Sequence, residues 1–211
     1  MSYHAWFQLV VLPHAAIARH YPPRTATLLL GQPVAPYRRT QDDLDLAVRT
    51  IAASSRSDWF TQSCLRLLRD FPGYDSLRFL TREQVTHREF EPYDSPPEGE
   101  AVNEELGGTH LLYTLLQGPA LAEAADQMRH LLDEMRARPE RVAASIEDGY
   151  TGEDVAVAWQ RARVCGRLNY EASEECDDID GLLCGLVSMH EALALARQEG
   201  HVAIYTQTLP M

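Results

Sequence analysis

The chain has 211 residues, 45% of them hydrophobic, with 31 carboxylates against 19 basic side chains and a net charge of -12. That length and apolar content suffice for a real core, so one globular domain over 1–211 is expected. The charge argues against nucleic acid, because a phosphate backbone is bound by clustered cations. All 19 basic residues are arginine, which removes every mechanism built on a Schiff-base lysine, a phosphate-loop lysine or a lysine general base.

"SYHAWFQLVVL" opens the chain with aromatic and β-branched residues and reads as a strand. Its apolar run is far shorter than the roughly eighteen residues of a membrane span, and no basic flank or small-residue cleavage site marks a secretory signal. The expected location is the cytoplasm. Pro13 suits the first turn of a short helix, "PHAAIARHY", ended by Pro22-Pro23, and "TATLLLG" reads as a second short strand or a buried turn. From Gln41, the spacing of Leu44, Val48 and Ile51 predicts a helix with Asp42, Asp43 and Asp45 in its first turn. Another runs from Asp58 as N-cap through Trp59, Leu65 and Leu68 towards Gly73. "LRFLTREQVTHREF" predicts an extended piece and then a short helix capped by Thr81, with Gln84 completing a capping box.

The Pro/Gly-rich acidic segment at about 91–105 reads as a flexible loop that could separate an N-terminal lobe from a helical C-terminal one. Beyond it, helices are expected at 106–117, 119–137, 139–148, 152–170 and 178–199. "TGED" at 151–154 fits a capping box, Gly200 fits a helix end, and "HVAIYTQ" alternates as a strand. The fold class is therefore α+β and predominantly helical. Its small sheet is formed by the N-terminal and C-terminal strands and packs against a helical bundle.

Four cysteines, Cys64, Cys165, Cys176 and Cys184, form no CxxC pair and are too sparse for a disulfide scaffold. Cys165, Cys176, Cys184 and His190 lack the tight pairing of a zinc site. Aligning Asp178, Asp180 and Gly181 to a calcium loop puts Cys176 at the first ligand and Val187 where a bidentate glutamate belongs. No metal and no cofactor are expected. Asp177 and Asp178 read instead as an N-cap and first-turn acid of the last long helix, preceded by an anionic connection.

Two sets of site residues follow. Glu171, Glu174, Glu175, Asp177 and Asp178 form an acidic surface for a basic protein partner, as in an immunity protein that neutralises a toxin. The alternative is a small-molecule binder or hydrolase with a pocket lined by His110, Tyr113, Thr114, Gln117 and His190. On a helix the first four lie opposite Leu111, Leu112, Leu115 and Leu116, and His190 falls inside the apolar stripe of the last helix, where a shifted pKa would arise. Asp126, His130 and Glu134 repeat every four residues on what reads as a solvated face. The chain has no GxSxG, HExxH, GxGxxG or GxxxxGK motif. A homodimer is a third reading, to be signalled by a large uncovered apolar face.

Overall fold

The computed structural model describes residues 7–53, 57–92, 108–146, 149–165, 171–172 and 179–209. Strand β1 (Phe7–Leu12) leads through Pro13 into a 3-10 turn (His14–Ala16) and helix α1 (Ile17–His20). "TATLLLG" is not a strand but most of helix α2 (Pro23–Leu30), which starts at a proline whose fixed φ suits the first helical turn. Helix α3 (Gln41–Leu44) is capped by Thr40 and Asp43, each side chain meeting the other's backbone N–H. It stops at Asp45 instead of running on through Val48 and Ile51, which lead into and lie in strand β2 (Arg49–Ala53).

Helix α4 (Ser57–Asp70) forms where a helix was expected, but Asp58 lies inside it and is not its N-cap. The next stretch reverses the expected order: a 3-10 helix (Asp75–Thr81) comes first and strand β3 (His87–Pro92) second. Thr81 does not open a helix. Its hydroxyl donates to the Arg78 carbonyl at 2.7 Å and closes the 3-10 helix. Strand β4 (Gly108–Leu116) replaces the helix expected over 106–117. Helices α5 (Gly118–Ala137), α6 (Pro139–Ser145) and α7 (Gly152–Cys165) follow, then a two-residue strand β5 (Glu171–Ala172), α8 (Ile179–Glu199) and β6 (Val202–Leu209). The "TGED" cap is present, with Thr151 and Asp154 bonded reciprocally. Gly200, at φ 64°, ends α8 in the left-handed conformation that glycine adopts without strain, while the His201 N–H returns to the Ala196 carbonyl.

The fold is α+β and mostly helical. Its sheet has the order β3-β4-β6-β1-β2-β5, antiparallel except for the short β2-β5 pair. The first and last strands pair directly, with Phe7 opposite Gln207 and Leu12 opposite Val202. Alternation along these strands feeds two cores. Phe7, Leu9, Val11, Ile51, Ala203 and Tyr205 face the large helical layer that includes α4, α5 and α8. Val10, Leu12, Val202, Ile204, Leu111 and Tyr113 face α1 and α2 on the other side. Helices thus cover both faces of the sheet, and its central strands are apolar on both sides.

Helix α8 is the hub of the large layer. Ile179, Leu182, Leu183, Leu186, Met189 and Leu193 are all buried, each contributing about 1.5–3 kcal/mol of burial free energy before the cost of ordering the chain. It is the one described helix long and apolar enough to cross a membrane, and most of its apolar stretch is taken up inside the fold.

Candidate functional site

The strand geometry of β4 splits the pocket residues predicted around His110. Successive side chains on a strand point to opposite faces, so His110 and Thr114 lie on the side of Leu116 and the large core, whereas Tyr113 joins the smaller one. His110 stands in register between Phe90 and Leu209. Tyr113 packs edge-on to Tyr21 with ring centroids 6.5 Å apart, and the Thr114 hydroxyl donates to the Gln84 carbonyl at 2.7 Å. Gln117, the N-cap residue of α5, is exposed. These four side chains do not form one stripe.

His190 is half-buried on α8, beside a cleft of about 360 Å³ between α5 and α8. Ala125 and Ala194 leave the space; Asp126, Arg129 and Arg197 rim it, and His110 is not among its lining residues. Asp126 Oδ1 accepts from Arg197 at 2.9 Å and lies 3.4 Å from Arg129. Loss of water around the imidazole holds its pKa below the ordinary 6.5, with Arg136 and Arg129 acting the same way and Glu191 and Asp133 opposing. The shift favours the neutral imidazole, and no nucleophile stands among the described residues that line the cleft.

The 126, 130, 134 stripe is a surface network, as its placement opposite the apolar face implies. His130 is exposed, and Glu134 accepts from Tyr74 at 2.7 Å while pairing with Arg138 at 2.7 Å. Burial, followed by the bond to Glu134, pushes the Tyr74 phenol up to about 12.

Two buried polar groupings went unnoticed in the sequence. On the large-core face, the Gln207 amide donates to the Thr61 hydroxyl across the interface with α4, and Arg82 reaches the Thr208 carbonyl at 3.3 Å. Tyr205 Oη and Gln207 Oε1 are buried with no hydrogen-bond partner among the described residues. Burial raises the Tyr205 pKa well above 10, the nearby Cys64 adding to the effect and Arg82 opposing it. On the other face, buried Glu89 of β3 accepts from the Thr25 hydroxyl at 2.9 Å and pairs with Arg24 at 3.2 Å. The signal available for both was period-two alternation: polar residues at 89, 205 and 207 share their strand faces with core positions.

Cys64 and Cys184 are buried and in no disulfide, and burial pushes the Cys64 pKa up, away from the reactive thiolate. Among the described residues no group of three His, Cys, Asp or Glu side chains is placed to hold a metal ion. Of the expected partner-binding acids, Glu171 belongs to β5; Glu174, Glu175, Asp177 and Asp178 lie outside the described residues. Large apolar side chains exposed among the described residues are Leu44, Val48, Leu65 and Val157, which belong to different segments of the chain. Comparison with known proteins found no matching family model, curated protein or solved structure.

Proposed function

We propose that this chain is a non-catalytic binding protein that engages a basic protein partner through its acid-rich segments, in the manner of a toxin-neutralising immunity protein. What carries the reading is where the charge sits. Segments 89–105 and 171–180 hold 13 of the 31 carboxylates and no arginine, while the remainder of the chain carries 18 carboxylates against 19 arginines. The whole negative balance therefore resides in two short stretches.

The register of the sheet adds to this. Pro92 pairs with Gly108, and Ala53 pairs with Phe7 on one side and Ala172 on the other, while Phe7 pairs with Gln207. β3 and β4 thus adjoin the first acidic segment, and β5 the second, at the same end of the sheet. Acid-rich stretches in an otherwise balanced chain attract a cationic protein and help to fix its orientation. Buried cysteines outside any disulfide, Cys64 and Cys184, fit a reducing compartment such as the cytoplasm.

The test compares the wild-type chain with a Glu174→Gln, Glu175→Gln, Asp178→Asn variant as baits in host extract. The reading expects a basic protein on the wild type that is released as salt rises, with retention on the variant about tenfold lower or less. No retained protein, or equal retention by both baits, overturns it.

A further inference from the structure

The outward face of α4 is chemically unlike its core face. Phe60, Thr61, Cys64 and Leu67 are buried, whereas Leu65, Arg66, Leu68 and Arg69 line a cleft of about 470 Å³. Across it stand Arg78 and Thr81 of the 3-10 helix and Glu83 just beyond. Three guanidinium groups from two elements thus meet one cavity with a single carboxylate among its described lining residues, in a protein whose overall charge is negative. The volume lies in the range of small-molecule sites. A guanidinium offers a planar fork of donors matched to a carboxylate or phosphate.

The apolar part of the cleft points to the rest of the ligand. Leu65 is 36% exposed, one of the few large apolar side chains left uncovered among the described residues, and it lies beside these cations with Leu68. Ion pairs of Arg69 with Asp70 at 3.0 Å, and of Arg78 with Asp75 at 2.9 Å and Glu83 at 3.5 Å, lie exposed at the rim. Solvated pairs of this kind contribute little, so an incoming anion exchanges with them at small loss.

Both walls are fixed from behind. Tyr74 bonds Glu134 and the Ser76 N–H bonds the Gln127 side chain at 2.9 Å, tying the 3-10 helix to α5. Arg82, left-handed at φ 67°, directs the chain out of the 3-10 helix and bonds the end of β6. Arg141 lies over the Phe71 ring and donates to the Asp70 carbonyl, holding the end of α4. A site whose walls are already ordered loses little entropy on binding.

We propose that this cleft binds a small organic anion, its carboxylate or phosphate head held by Arg66, Arg69 and Arg78 and its apolar body resting on Leu65 and Leu68. The site is independent of the acidic segments. Calorimetric titration of the whole protein with phenyl phosphate, benzoate, inorganic phosphate and benzyl alcohol tests it. At least one of the two aromatic anions should bind about tenfold or more tighter than inorganic phosphate, with benzyl alcohol failing to bind. Which head group wins identifies the anion. Arg69→Gln with Arg78→Gln should weaken that anion about tenfold or more, and Leu65→Gln should erase its advantage over inorganic phosphate. The Glu174, Glu175, Asp178 variant should bind it unchanged, separating this site from the partner surface. No heat with either aromatic anion at millimolar concentration, equal binding of benzyl alcohol, or indifference to the arginine changes in variants that keep the wild-type Tm overturns the proposal.

Discussion

His190 and His20 are both half-buried, and in each the loss of surrounding water is the main cause of a pKa below the ordinary 6.5; Arg39 adds to it at His20. The folded state then resists protons that the unfolded chain accepts. Stability is fully present above pH 6.5, falls as pH drops through that value, and levels off once pH lies below the folded pKa values. Urea unfolding across this window should show the loss, and His190→Gln should reduce it. A flat profile in the wild type would contradict the placement of both rings. A separate decline belongs below the ordinary aspartate value of 3.8: hydrogen bonds from Thr40 hold Asp43 down, the Arg69 side chain does so for Asp70, and Thr151 for Asp154. That contribution is present at neutral pH and is lost as these carboxylates take up protons. At this scale the sequence was partly legible. The periodicity of α8 puts His190 inside its apolar stripe, whereas the structure leaves it half-buried at a cleft whose other wall, Ala125 and Arg129 of α5, no local pattern connects to it.

Among the elements, the long helices and the end strands declared themselves through caps and periodicity, whereas β2 and β4 did not. The reason is physical. β4 is covered on both faces, so Leu111, Leu112, Leu115 and Leu116 face two different cores while their spacing also satisfies a helical stripe. Length was the arbiter at hand: nine residues between Gly107-Gly108 and Gly118-Pro119 suit a strand better than a helix. Val48 and Ile51 misled in the same way, matching a helix that ends at Asp45. The separation of the predicted pocket residues follows directly from the misread period of β4. Packing is close where α8 meets α4: a Cβ at Gly185 would lie 3.2 Å from the Phe60 ring, itself stacked on Phe7 at 4.3 Å. Alanine gains up to about 1 kcal/mol of helix propensity there, but overpacking costs about 1–3 kcal/mol. Gly185→Ala should therefore lower stability slightly and Gly185→Leu severely. In a Phe60→Leu background the alanine change should cost less than it does alone, as a double-mutant cycle of denaturation midpoints would show.

For the molecule as a whole, α+β class and the pairing of the two end strands were readable from alternation at residues 7–12 and 202–209, while the second helical layer over the sheet was not. That layer consists of α1, α2 and α3, elements too short to announce a face of their own. The central position of β6 carries a consequence for how the protein is made. β6 lies between β4 and β1, so until residues 202–209 leave the ribosome the growing chain holds two separate hairpins, β3-β4 and β1-β2, each with an unfilled edge. The contacts that join them span nearly the full sequence, which slows folding and prolongs the exposure of strand edges. A chain ended before Val202 should show no cooperative thermal transition, and supplying residues 202–209 as a separate peptide should restore one if these hairpins persist. Synthesis thus supplies this central strand only after the strands it joins, and the nascent chain must be kept from pairing elsewhere until β6 arrives.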